Sequence, residues 1–315
     1  EDTCLLSCIV AIGTPHHQTG GGGSGSVGRS RTELGKLYYR VMDNDKSKAL
    51  QRTGGNFDAT MTLSPLAQED LKWWIANLPS MRKSFCPTPT ALVIHSDASD
   101  EGWGGAIIGQ GQKTGGQWSE TESKMHINEK ELYAALLSLQ SLAPHLSRCK
   151  INFQLDNTTA VAYVNNQGGR KIGCNGIARR MWLWATQRDI TLTATYLPGV
   201  LNVVADQQSR ILHDNMEWKL NDDVFQAVCR QWGRPQIDLF ASRLNAQLET
   251  YVSWKPDPHA SHVDAFLLDW APLGMSYIFP PFTLIGRVMR KIMSEKVTAI
   301  LIVPQWTAQS WPLLL

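Results

Sequence analysis

Four acids in this chain, Asp97, Glu131, Asp156 and Asp206, have the type and setting to do chemistry together. Asp97 follows the apolar run Ala91-Leu92-Val93-Ile94, and Asp156 ends the alternating run from Ile151 to Leu155. Glu131 lies in the first turn of an amphipathic stretch, and Asp206 follows the Pro198-Gly199 turn. In a parallel-type sheet, residues just beyond the strand ends meet at one edge. Carboxylates brought together repel and retain protons unless cations neutralise them. Hard divalent ions do this, and Mg²⁺ keeps part of its water while binding phosphate oxygens. Two such ions ~3.5–4 Å apart clamp an in-line displacement at phosphorus. Each acid also has a plainer reading. Asp156 can cap a helix beginning at Thr158, Glu131 can support a helix N-terminus, and Asp206 can sit on a solvated helix face.

The elements that must position these acids can be read from periodicity. Residues 91–94 and 102–108 suggest two strands joined by a tight turn. Leu132, Ala135, Leu136, Leu139 and Leu142 share one face of a helix over 128–146. Ile151 to Leu155 alternates as a strand, and Thr158 to Asn165 suits a short helix. Ile177 to Arg188 reads as a helix, Thr191 to Leu197 as a strand and Asn202 to Ile211 as a helix. This order, ββαβααβα, is mixed α/β with an antiparallel opening and parallel crossovers after it.

Upstream, residues 33–88 read as a helical segment, with Ser64 as N-cap and Pro65 at the first helical position. Leu78-Pro79 ends its second helix. Residues 1–32 form a poorly ordered stub, including the low-complexity run GGGGSGS from Gly20 to Ser26. Residues 213–235 suggest a charged helical connector. Residues 236–315 suggest a second α/β unit, with strands at 236–241, 251–254, 277–279 and 299–303 and a helix over 284–296.

The chain has 315 residues, enough for two domains, and 43% hydrophobic residues, which rules out wholesale disorder. A net charge of +2 is too small to mark a nucleic-acid binder, so a local surface must supply any such attraction. The six cysteines include no C-x-x-C pair, which argues against a disulfide framework or structural zinc and for a reducing, intracellular setting. The longest apolar run, Cys4 to Gly13, is too short to span a membrane. The chain opens without Met and stops within apolar sequence, so it reads as part of something longer.

Four blocks carry a resemblance: HSDASDEGWGG (95–105), HINEKELYAAL (126–136), LDNTTAVAYVN (155–165) and YLPGVLNVVADQQSR (196–210). In order and spacing they resemble the ribonuclease H of retroelements, most closely that of DIRS-type retrotransposon polyproteins. The segment with LYYR (37–40), NFDATMTLSP (56–65) and DLKWW (70–74) resembles the connection to an upstream reverse transcriptase domain in those polyproteins. The resemblance implies a ribonuclease H-like mixed five-stranded sheet with flanking helices over 89–212. It also implies divalent-metal-dependent endonucleolytic hydrolysis of the RNA strand of RNA–DNA hybrids. Asp97, Glu131, Asp156 and Asp206 would hold two Mg²⁺ ions, with Mn²⁺ able to substitute. Asn128 would contact the hybrid's minor groove, where the 2′-hydroxyl distinguishes RNA. Its plainer reading is a helix N-cap.

One position departs from the pattern. Many cellular members carry a mobile His ten residues before the last Asp, and this chain has Tyr196 there. Tyrosine is a poor base near neutral pH. His95 and His126 are nearby alternatives, more simply read as structural. Arg170, Lys171, Arg179 and Arg180 are the best basic cluster for gripping a hybrid, or else a solvated helix face.

IDLFASRLN (237–245), VDAFLLDW (263–270), YIFPPF (277–282) and LIVPQW (301–306) resemble phage-type DNA adenine methyltransferases. The family's polar residue before Pro-Pro-aromatic is Phe279 here, which cannot accept a hydrogen bond from a target amino group. Asp238 and Asp264 match acidic positions near the S-adenosylmethionine site. The expectation is a partial Rossmann-like fold with little or no methylation. The leading functional expectation is thus a ribonuclease H acting in the cytoplasm or nucleus, with no membrane partner. The alternatives are a decayed nucleic-acid-binding scaffold and, behind it, a DNA adenine methyltransferase.

Overall fold

A computed structural model of the chain describes residues 35–80, 89–210 and 218–306, so the Gly/Ser run and the terminal segments fall outside the described residues. Five strands, β1 (Thr90–Ala98), β2 (Gly102–Ile107), β3 (Lys113–Gln117), β4 (Lys150–Leu155) and β5 (Thr191–Tyr196), form one sheet in the order β3-β2-β1-β4-β5. The β1–β2 and β2–β3 pairs are antiparallel, whereas β1–β4 and β4–β5 are parallel. This is the ribonuclease H-like mixed sheet with flanking helices that the four blocks implied. Strand β3 gave no periodic signal, because its sequence Lys-Thr-Gly-Gly-Gln has no apolar residue to alternate.

Parallel neighbours need crossovers. Helix α4 (Ile127–Leu142) connects the antiparallel half to β4, with the four-residue α3 (Glu120–Ser123) before it. Helices α5 (Thr158–Asn165) and α6 (Ile172–Thr186) connect β4 to β5, and α7 (Val203–Arg210) follows β5. Helix α6 starts five residues earlier than periodicity suggested, since Gly173 and Gly176 interrupt its apolar pattern. Ile151, Phe153 and Leu155 of β4 point into a core closed by Leu132, Leu136 and Leu139 of α4. Each such side chain contributes ~1.5–3 kcal/mol when removed from water.

Helix α4 is capped by His126, not by Asn128. The Asn128 amide donates to His126 Nδ1 at 3.1 Å, and the His126 amide donates to Glu129 Oε2 at 3.4 Å. An imidazole nitrogen thus serves as the acceptor that a Ser or Asp side chain usually provides.

Upstream, α1 (Gly35–Arg52) and α2 (Pro65–Asn77) pack as a pair. Ser64 caps α2 as expected, its Oγ accepting from the Ala67 amide at 3.4 Å. Tyr38 stacks on Trp73 with ring centres 3.7 Å apart. The pair is tied to α6 by Arg179, whose guanidinium donates to both oxygens of the fully buried Asp70, at 2.5 and 3.2 Å.

The remaining elements are α8 (Asp222–Trp232), β6 (Ile237–Asp238), β7 (Val252–Ser253), β8 (His262–Val263), β9 (Ser276–Ile278), α9 (Ile285–Glu295) and β10 (Ala299–Leu301). A parallel sheet runs β10-β9-β6, with β7–β8 as a separate pair. The expected 236–241 strand shortens to two residues because Asp238 turns the chain, its Oδ1 accepting from the Phe240 amide at 3.3 Å. This sheet is anchored to the five-stranded one through Arg243, which forks onto Glu122 at 2.8 Å from both nitrogens and donates to Gln117 O at 2.9 Å. No helix among the described residues is long and apolar enough to cross a membrane.

Candidate active site

Near the end of β1, Asp97 is paired to Gly104 of β2, so the two positions lie on the same face of the sheet. Helix α7 lies across that face at backbone contact. A Cβ at Gly104 would fall 2.6 Å from the Ser209 amide nitrogen and against the Ala205 carbonyl. One at Gly102 would be 2.9 Å from the Ser209 carbonyl, and one at Gly115 would be 3.0 Å from that of Gln208. Three glycines on two strands thus make the floor on which α7 rests. That floor brings Ser209 to Asp97. Asn202, fully buried just before α7, donates to the Ser96 carbonyl at 3.0 Å and ties the other end of the helix to β1.

Asp97, Glu131 and Asp156 converge at this edge, with one oxygen from each lying within 4.8 Å of the others. Asp97 and Glu131 are buried and Asp156 is half-buried. Glu131 Oε2 and Asp156 Oδ1 are buried without a hydrogen-bond partner. Buried polar atoms are nearly always paired, so two orphaned carboxylate oxygens within this trio suit a cation. Burial, reinforced by Asp97 and Asp156, pushes Glu131 up to about 9 despite a hydrogen bond from the Ala98 backbone. Burial also raises Asp97 and Asp156, and the neighbouring acids add to both shifts.

Asp206 stands beside this trio rather than within it. Its charge acts on both Asp97 and Asp156. Its Oδ1 accepts from Arg210 Nε and a terminal guanidinium nitrogen, both at 2.8 Å. A Cβ at Gly199, in the turn before α7, would sit 3.1 Å from Asp156 Oδ2, so a larger residue would crowd that carboxylate. Asn128 lies on the adjoining rim, where its Oδ1 accepts from Asn157 Nδ2 at 2.9 Å.

Tyr196 ends β5 with 55% of its surface exposed. Both nearby histidines are engaged elsewhere: His95 Nε2 is 2.6 Å from Gln154 Oε1, and His126 caps α4. The expected basic cluster is divided. Arg179 is committed to Asp70, and Arg180 lies over the Tyr133 ring at 5.2 Å. Ser209, Asn202 and the buried Lys130, which donates to the Asp100 carbonyl at 3.2 Å, were not anticipated. All three fall inside the quoted sequence blocks, yet nothing in their type marks a role. Asp238 is occupied by the fold: both its oxygens accept backbone amides, from Phe240 and Gln247, and burial pushes it up to about 6. Asp264 caps a short turn through Phe266 N at 3.0 Å.

No family model matches the chain. A stretch of 159 residues, 47% of the chain, is 30% identical to the enzymatic polyprotein of Carnation etched ring virus. A stretch of 145 residues, 42% of the chain, is 28% identical to that of Figwort mosaic virus, and 132 residues are 30% identical to that of Cauliflower mosaic virus strain Strasbourg. The matched stretches make up only 23%, 21% and 19% of those polyproteins. Among solved structures, the chain is similar to ribonuclease H1 of Halobacterium salinarum at 17% identity and a TM-score of 0.32, covering 37% of this chain and 92% of that one. It is also similar to a foamy viral protease–reverse transcriptase in complex with RNA/DNA hybrid, at 14% identity and a TM-score of 0.23, covering 69% and 28%.

Proposed function

We propose that this chain is a divalent-metal-dependent ribonuclease H of a retroelement polyprotein, cutting the RNA strand of RNA–DNA hybrids. The observation that carries this reading is the convergence of Asp97, Glu131 and Asp156 at one sheet edge, with two orphaned carboxylate oxygens among them. The similarity to viral enzymatic polyproteins supports a retroelement origin, and an upstream reverse transcriptase domain follows from the resemblance of the 33–88 segment.

The donor set is all carboxylate oxygen, which suits Mg²⁺ or Mn²⁺ over softer metals. Asp97, Glu131 and Asp156 would hold the ions, with Asp206 completing the set once its oxygen leaves Arg210. Bound there, two ions would supply an activated water and a charge clamp for in-line displacement at phosphorus. The chain's own residues do the rest. Ser209 keeps one oxygen of Asp97 fixed, and the α7 floor keeps Asp206 beside the trio. Asn128, steadied by Asn157, presents its amide on the rim where a 2′-hydroxyl of the RNA strand would lie. With a tyrosine at 196 in place of the family's histidine, water would protonate the leaving 3′ oxygen, and turnover would be slower than with an imidazole there.

The test is cleavage of an end-labelled hybrid with Mg²⁺ or Mn²⁺, comparing the chain with Asp156→Asn. The expected result is metal-dependent cutting of the RNA strand alone, abolished by the substitution. Equal cutting by both proteins would place the chemistry elsewhere.

A further inference from the structure

The turn between β1 and β2 carries none of the four acids, yet three other parts of the fold pin it. The Ser99 carbonyl accepts from the Trp118 indole nitrogen at 2.9 Å, and the Glu101 carbonyl from the Trp118 amide at 3.2 Å. The Asp100 carbonyl accepts from Lys130 Nζ of α4 at 3.2 Å, and the Gly102 carbonyl from the Ser99 amide at 2.9 Å. Ser99 Oγ donates to the Ser209 carbonyl of α7 at 2.7 Å while accepting from the Gly102 amide at 3.0 Å. Every carbonyl from Ser99 to Gly102 is therefore engaged within the protein, where a surface turn can leave such groups to water.

This turn meets the acidic site from two directions. It follows Asp97 directly, and its first residue, Ala98, hydrogen-bonds Glu131 through the backbone. Ser209, which Ser99 holds, in turn holds Asp97 Oδ2. Lys130 precedes Glu131 on α4, so it ties the helix that carries Glu131 to the turn that closes on it.

The choice of a lysine there is informative. Lys130 is 4% exposed, whereas the Asp100 side chain is 97% exposed and its Oδ1 lies 3.7 Å from Nζ. A carboxylate so open to water is a weak counter-ion, and burying an ammonium is costly without a strong one. An apolar chain of the same length would fill the space as well. It could not fix the Asp100 carbonyl.

We propose that Lys130 is a positioning residue for the metal site, pinning the β1–β2 turn to α4 so that Glu131 stays in register with Asp97. It touches neither ion nor substrate, and the inference rests on the metal-site reading above. Groups that orient ligands in this way matter to binding, and their loss typically lowers metal affinity ~10–100-fold.

The test is thermal melting of the full chain against increasing Mn²⁺, with no nucleic acid present. Lys130→Met keeps the length and the apolar stem but removes the donor. It should need at least about tenfold more Mn²⁺ for half of the full rise in melting temperature, while melting close to the wild type in chelator. Lys130→Arg, which restores a donor, should recover most of that affinity. An unchanged midpoint in Lys130→Met would overturn the proposal, as would a shift that Lys130→Arg shares in full. If Lys130→Met melts too low to titrate, Trp118→Phe decides, since it frees the Ser99 carbonyl of the same turn and keeps a ring in place. A raised midpoint there supports the pinned turn, and an unchanged one overturns it. A wild type that does not respond to Mn²⁺ would remove the metal-site reading and this inference with it. A response insensitive to these substitutions removes this inference alone.

Discussion

The Ser209 hydroxyl lies 2.7 Å from Asp97 Oδ2, joining two residues 112 positions apart. Ser209 Oγ also lies 2.9 Å from the Asp206 carbonyl, but a hydroxyl has only one proton to donate. With Asp97 ionised, that proton goes to the carboxylate. This bond lowers Asp97 against the burial that raises it. Ser209→Ala should therefore raise Asp97 further and move the acidic limb of the pH–rate profile to higher pH. A hydrogen bond to a charged group contributes ~1.5–3 kcal/mol, so the rate at neutral pH should fall about tenfold or more. An unshifted limb would mean Ser209 has no hold on the carboxylate.

Glu131 links metal binding to pH. Its folded value of about 9 lies above its ordinary value. Without metal, the folded state carries no penalty below the unfolded pKa. It loses stability as pH rises from there through about 9. Glu131→Gln should remove that loss. In chelator at pH 8 the variant should melt above the wild type, and the gap should close near pH 5. The effect at neutral pH should be on the order of 2 kcal/mol. Added Mg²⁺ should stabilise the wild type more strongly as pH rises, and the variant much less.

Gly104→Ala tests the floor under α7. The new methyl would meet the Ala205 carbonyl and the Ser209 amide, both backbone atoms of a packed helix. Overpacking of this kind costs ~1–3 kcal/mol. The helix carrying Asp206 and Ser209 must move, so thermal stability and hybrid cleavage should fall together. Gly176→Ala, where a Cβ meets nothing within 4 Å, is the matched control.

Asp70→Ala should detach the α1–α2 pair. Removing one partner strands Arg179, whose side chain is only 15% exposed, near a buried surface. Breaking such a pair costs ~3–5 kcal/mol. Limited proteolysis should then cut between α2 and β1 well before the five-stranded sheet is attacked. Asp70→Asn, which keeps the shape but not the charge, should lie between wild type and Ala.

The local chemistry was legible in the chain. Ser64-Pro65 announced a helix start, and Ala91 to Ile94 and Ile151 to Leu155 announced strands that end in acids. Those signals depend on neighbouring residues, through propensity, capping and alternation, so they survive in one dimension. β3 escaped notice because an edge strand that serves as a helix floor needs small residues, not apolar ones. His126 escaped as a cap because imidazole rarely fills that role.

The site itself needed three dimensions. Asp97, Glu131 and Asp156 stand beside structural punctuation in the sequence, but their sharing of 4.8 Å depends on strand register and on how α4 crosses the sheet. Arg179 looked like one of a cluster until its partner, 109 residues away, drew it inward. Ser209 had no signal, since a serine is ordinary until a glycine floor sets it against a carboxylate. Short-range preferences choose the elements. The closure of the core then sets distances between residues far apart in sequence, and with them each charge's dielectric, partner and proton affinity.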